Sequence, residues 1–278
     1  MKKAKGDVWL TLVVSLAFFP TFASASSWER PWGATSALLG LGVASHFVPQ
    51  QNAGSAWKNP IDTAARSALR GSEDESRIES EVYSDVSLTL ALTVPLSNAL
   101  LSSYQPEETR LSRSDREWVG FTTAQALGVN WIITETLKRV TARVRPRASC
   151  GGGESWSCSP GNPAESVRSF PSGHTSFAFT AAGLACMQAA TISGNELPLS
   201  GAWVCPTTLG LAAVTAFFRM RADAHWLTDT LAGAAIGFLS GYSIAPALTG
   251  NRPSVAGGTN SVYAAQAPSA LFLTEISF

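Results

Sequence analysis

The chain has 278 residues, a formal charge of zero and only 14% Asp, Glu, Lys and Arg. That length can bury one large core, and the balanced charge gives no electrostatic basis for nucleic-acid binding. Only three His occur (His46, His174 and His225), which argues against a His-rich metal site, and the abundance of Gly suggests close helix packing or membrane contact.

The first 25 residues read as a secretory signal. Lys2, Lys3 and Lys5 form a basic start, Val8 to Phe19 a short apolar run, and Ala23-Ser24-Ala25 a small-x-small cleavage site before Ser26. The alternative is an uncleaved membrane anchor. Removal of residues 1–25 takes three Lys and one Asp, leaving 17 basic and 19 acidic residues. An even count of four Cys behind such a signal suggests disulfides. Of three pairings, Cys150–Cys158 and Cys186–Cys205 each close a short loop, and the alternative for Cys186 is a buried free thiol.

Residues 26–83 are expected to form an N-terminal helical extension. Within it, Ala37 to Val48 is apolar but too short to span a bilayer, and His46 has no acidic neighbour and reads as structural. Residues 58–85 carry the densest charge and read as a solvated helix face or loop. Val86 to Leu101 is an apolar helix candidate interrupted by Pro95, and Trp118 to Leu137 a buried helix that runs into the basic segment Lys138–Arg147. Residues 148–168 form a long Gly/Ser/Pro-rich loop, either functional or disordered. Thr175 to Ile192, Thr207 to Phe218 and Trp226 to Leu248 are further helix candidates. The last carries Gly233, Gly237 and Gly241 four apart, on one face. A tail at 249–278 ends in a short β-like stretch. No strand pattern recurs, so the chain reads as all-α.

The chemistry centres on Ser169-Phe170-Pro171-Ser172-Gly173-His174-Thr175. Pro171 ends what precedes it and Ser172 suits an N-cap. A helix N-terminus is a ready anion site, Gly173 permits close backbone approach, and His174 puts an imidazole beside the anion, able to protonate a leaving group. Upstream, Lys138 and Arg145 are seven apart, so a helix would put both on one face before Pro146 stops it. Such a pair suits a phosphate, Arg as a fork and Lys as a point charge. The bland alternative is a snorkelling basic helix end. Downstream, His225 and Asp229 are at i and i+4. Asp229 can accept the Nδ1 proton and leave Nε2 free as a nucleophile, with Asp223 as a helix cap, or the pair can simply staple a helix.

Together, Lys138-x6-Arg145-Pro146, Pro171-Ser172-Gly173-His174 and Arg219-x5-His225-x3-Asp229 resemble the tripartite signature of the type 2 phosphatidic acid phosphatase superfamily, which includes bacterial acid phosphatases, lipid phosphatases and vanadium haloperoxidases. The resemblance covers about residues 84–248, and ten signature positions match in order. One position departs: Phe218 stands where the family usually has Ser. The resemblance implies a helical bundle of about six core helices with the site at one end. It implies that His225 attacks phosphorus to form a phosphohistidine, that Asp229 orients His225, and that His174 protonates the leaving oxygen. Lys138, Arg145, Arg219, Ser172 and Gly173 would bind the phosphoryl oxygens. Three fixed cations can do the charge work, so neither a metal nor a cofactor is expected.

The expected function is a metal-independent phosphatase acting on a lipid phosphate, an isoprenoid diphosphate or a small soluble phosphate. Two alternatives are a vanadium-dependent haloperoxidase and a non-catalytic phosphate or lipid-headgroup binder. The expected location is periplasmic with membrane-surface association, because most apolar runs are short or interrupted and a spanning topology would put the Cys loop in the cytoplasm. The alternative is an integral inner-membrane protein. Natural substrate and oligomeric state are not specified by the sequence.

Overall fold

The computed structural model describes residues 31–45, 59–71, 74–106, 111–149, 163–192 and 196–249. The expected signal sequence, His46, the expected Cys150–Cys158 pairing and the tail expected to end in a β-like stretch lie outside them. Among the described residues the chain is all-α, as expected. The helices are α1 Pro31–Ser45, α2 Pro60–Leu69, α3 Asp74–Leu101, α4 Arg113–Thr141, the single turn α5 Pro163–Ser166, α6 Gly173–Thr191, α7 Val204–Arg221, α8 Leu227–Leu239 and, after a π-helical turn at Ser240–Ile244, α9 Ala245–Thr249.

Helix α6 is the hub and packs on α8, α7, α3 and α4. Its residues are small: Ala178, Ala181 and Ala182 are fully buried with Ala91 of α3 and Ala212 of α7. Small side chains let the helix axes approach closely. The α6–α8 contact is backbone on backbone. A Cβ added at Gly237 would lie 2.0 Å from the Ser176 carbonyl, at Gly233 2.7 Å from the Ser172 carbonyl, and at Gly241 2.4 Å from the Thr180 carbonyl. The four-residue Gly spacing thus forms the seam that joins α8 to α6. Cys186 and Cys205 form a disulfide between α6 and the start of α7.

Three local expectations are corrected. Pro95 does not interrupt α3, which runs unbroken from Asp74 to Leu101 and across the 83/84 boundary. Proline removes one intrahelical donor, but packing on α6 and α7 holds the helix together. Residues 58–85 are not simply a solvated face, because Asp62 is buried in α2 and Arg66 forks onto Asp223 at 2.7 and 2.8 Å. Trp226 to Leu248 is helical from Leu227 onward, as expected, but not α throughout, because a π turn at Ser240–Ile244 separates α8 from α9.

Candidate active site

Helix α4 ends at Thr141 because Ala142 adopts a left-handed conformation (φ 43°) and donates its N–H to Lys138 O. Lys138 and Arg145 therefore do not share a helix. Arg145 follows in extended backbone, two residues beyond the buried Arg143. The chain then returns at Ser169, whose N–H donates to Arg143 O, and enters α6 at Gly173. Ser172 is the N-cap residue, as expected, but its hydroxyl lies 3.0 Å from Thr175 Oγ1 and makes no side-chain cap bond to the backbone.

The space beside Gly173 is taken by a side chain from α4. An added Cβ would sit 2.8 Å from Lys138 Nζ, so the ammonium rests directly over the first turn of α6. A fixed cation and a helix N-terminus are thereby brought to one point, favourable for an anion. Glu135 lies 3.4 Å from the same ammonium and also pairs with Arg168. Burial raises the Glu135 pKa, but Lys138 and Arg168 outweigh it and hold the carboxyl below its usual value.

His225 sits in the turn ahead of α8 and is buried. Its Nδ1 is 2.8 Å from the Ser169 carbonyl, and its Nε2 is 3.3 Å from Arg145 Nη1. Asp229 Oδ2 is 3.7 Å from Nδ1. The expected direct Asp229–His225 hydrogen bond is thus replaced by one to the Ser169 main chain. The reason is local. His225 precedes the helix, so i and i+4 do not share a helical face. Asp229, as N3, turns back to accept the Trp226 N–H at 2.9 Å, a capping-box contact. It also accepts from Ser169 Oγ at 2.5 Å. Asp229 therefore holds the Ser169 residue whose carbonyl orients His225. Burial, followed by the charges of Arg145, Arg219 and Lys138, holds the His225 pKa well below its ordinary value. A neutral ring with Nδ1–H on a carbonyl leaves a lone pair on Nε2.

The remaining cations are Arg145 and Arg219. Arg145 donates to the Glu165 and Ala224 carbonyls at 2.8 and 3.2 Å, and burial lowers its pKa to about 10. Among the described residues Arg219 has no ion-pair partner within 4 Å. Its Nη1 reaches Ser84 Oγ at 3.4 Å, and its Nε is buried without a partner. A buried guanidinium left this open is short of an anion. His174 meets Asp85 of α3, Nε2 to Oδ1 at 3.0 Å. The Arg219 charge and burial push its pKa down to about 4, against the pull of Asp85.

Residues 120–252 match the family model described as the PAP2 superfamily. By this match the segment is PAP2-like. The likeness supports phosphatase-type activity in general terms, on a phosphorylated substrate. No curated protein and no solved structure matches the chain. The PAP2 segment contains every site residue anticipated from the sequence, yet it begins inside α4. Sequence reasoning missed the parts that come from before it. Asp62 of α2 accepts from Arg143 Nη2 at 2.6 Å and from the Thr228 N–H at 2.8 Å, while Arg143 Nη1 reaches Asp229 Oδ1 at 2.5 Å. Arg66 and Arg143 lie 5.5 and 5.6 Å from the Trp226 ring. Asp223 is no helix cap. It takes a left-handed turn (φ 56°) and binds Arg66 and Arg70. Arg143 sits inside the basic segment that the sequence highlights, but nothing local in the sequence points to its partners.

Proposed function

We propose that this chain is a metal-independent phosphatase that cleaves phosphomonoesters through a phosphohistidine on His225. His225 Nε2 attacks phosphorus as the bond to the leaving oxygen breaks, and His174 in its charged form gives that oxygen a proton. Lys138, Arg145, Arg219, Ser172 and the Gly173 N–H hold the phosphoryl oxygens. Water then attacks the phosphohistidine, His174 takes its proton, and phosphate leaves. Asp229 acts through Ser169 on the orientation of His225 and supplies negative charge near the ring. The observation that carries the reading is the buried His225, with Nδ1 anchored on the Ser169 carbonyl and Nε2 turned to Arg145. Phosphoryl transfer draws on this kind of charge stabilisation and positioning.

The substrate presents a terminal phosphate, and three features favour work at a membrane surface on a lipid phosphate or isoprenoid diphosphate. Helices at Glu75–Tyr104 and Leu227–Thr249 are long and apolar enough to cross a membrane, by length and composition. Ile78, Val82, Val86 and Leu90, spaced at i+4, form an exposed apolar strip on α3. That strip passes beside Asp85 at the site. The Cys186–Cys205 disulfide supports the periplasmic reading, with residues 1–25 as the signal peptide.

The test is p-nitrophenyl phosphate hydrolysis with EDTA present, with and without vanadate, beside His225→Ala. Chelator-resistant, vanadate-sensitive release that the variant lacks is the expected result. Normal phosphate release from His225→Ala would sink the proposal.

A further inference from the structure

The head of α3 lies outside the PAP2 segment but forms one wall of the site. Glu81 pairs with Arg147, Ser84 Oγ faces Arg219, and Asp85 faces His174. These residues fall on adjacent turns of one helix, so their approach to Arg147, Arg219 and His174 is a property of how α3 docks on α6 and α7.

An exposed ion pair is ordinarily worth little, and the Asp85 side chain is 62% exposed. Its electrostatic setting makes this pair different. The charged and titratable groups around His174 are Arg219 from α7, Lys138 from α4, His225 from the turn before α8, and Asp85 from α3. Arg219 and Lys138 oppose a charge on the ring, and Asp85 is the one group acting on it, among the described residues, that favours the charge. Proton delivery to an alkoxide needs the imidazolium.

We infer that Asp85 is a positioning residue for His174: its carboxylate holds Nε2 and favours the charged form of the ring that gives a proton to the leaving oxygen. The inference rests on the phosphatase reading. As the P–O bond breaks, the imidazolium gives its proton to the departing oxygen and becomes neutral. The P–N bond to His225 forms in the same step. In the second step the attacking water returns a proton to His174, and Asp85 again faces a cation. The acid is thus a His–Asp dyad assembled across two helices.

The test uses Asp85→Asn and Asp85→Glu in the full chain, with two readouts. The first is the NMR titration of the His174 imidazole, which is tractable with three His in the sequence. In Asp85→Asn the midpoint moves to lower pH by roughly one unit. The second is kcat/KM on p-nitrophenyl phosphate, whose leaving group needs little protonation, against phosphatidic acid in detergent, an alkyl phosphate whose leaving group needs it fully. Asp85→Asn loses roughly tenfold more on the alkyl ester than on the aryl ester, and Asp85→Glu recovers most of the difference. An unchanged His174 midpoint, or equal losses on both esters, overturns the inference. If the midpoint shifts but the wild-type chain cleaves neither ester, the Asp85–His174 contact stands and the phosphatase reading falls.

Discussion

Arg143 and Asp229 form a 2.5 Å ion pair that is closed to solvent, with side-chain exposures of 2% and 0%. The other end of the same guanidinium holds Asp62 at 2.6 Å. One cation thus joins α2, the strand-like exit of α4 and the start of α8. Removing a partner from a buried pair leaves uncompensated charge, which costs about 3–5 kcal/mol. Arg143→Met is expected to lose about that much in urea unfolding, and Arg143→Lys to recover only part of it, because an ammonium cannot fork to two carboxylates. If Arg143→Met unfolds at the wild-type midpoint, the three-way junction is not a support of the site.

The pH dependence follows from the two histidines. On the proposed mechanism, turnover needs His225 neutral and His174 charged. Burial keeps His225 neutral well below pH 6.5, while the Arg219 charge and burial put His174 near 4 in the free site. Above about pH 4 the charged fraction of His174 falls tenfold per unit, so kcat/KM is expected to decline as pH rises and to favour acid conditions. Stability has the opposite sign. Both imidazoles bind protons less readily folded than unfolded, so their contribution is complete above pH 6.5 and is lost as pH drops toward the folded values. A Tm series from pH 8 to pH 4 should fall, and should fall less for His174→Gln. An equal fall in that variant removes His174 from the account.

The α6–α8 seam gives a sharper contrast. Gly237→Ala puts a methyl 2.0 Å from the Ser176 carbonyl, and neither backbone can yield without separating the helices. A loss of about 3 kcal/mol or more is expected, at the upper end for overpacking. Gly210 in α7 has nothing within 4 Å of an added Cβ, so Gly210→Ala should gain up to about 1 kcal/mol from helix propensity. Thermal unfolding of the two variants side by side checks the pair. A Gly237→Ala protein as stable as wild type would show that the helices slide.

The Cys186–Cys205 bond closes a loop with a sequence separation of 19. Chain-entropy arguments assign such a loop about 3 kcal/mol. Reduction is expected to lower the Tm, and Cys186→Ala/Cys205→Ala to match the reduced protein and lose its response to reductant. A Tm unmoved by reductant in the wild-type chain would refute the contribution.

Much of this was readable in sequence where the determinant is local. Pro171, Ser172 and Gly173 mark the start of α6 because helix starts are governed by a few adjacent residues, and the Gly233, Gly237 and Gly241 spacing marks a packing face directly. What failed was non-local. Arg66 and Asp223 meet across 157 positions, so the charge-rich stretch read as solvated. The left-handed Ala142 has no glycine or asparagine to announce it, and it moved Arg145 off the helix. Phe218 is partly explained. Its ring packs 5.2 Å from that of Tyr83 on α3, one residue before Ser84, and the Ser84 hydroxyl reaches Arg219 from across the helix interface. A hydroxyl missing from one helix is present on its neighbour.

The glycine seam has a consequence for how this site could change. Because α8 rests on α6 main chain to main chain, the interval between the helix start that bears His174 and the turn that bears His225 is a hard-sphere distance. No rotamer change can retune it, so mutations there tend to be all-or-nothing. The α3 wall meets the site only through side chains, and these can be exchanged one at a time. A library seeking new substrates therefore belongs on Glu81 and Tyr83, with Ser84 and Asp85 kept for their contacts to Arg219 and His174 and the seam left as the fixed gauge against which the fit is selected.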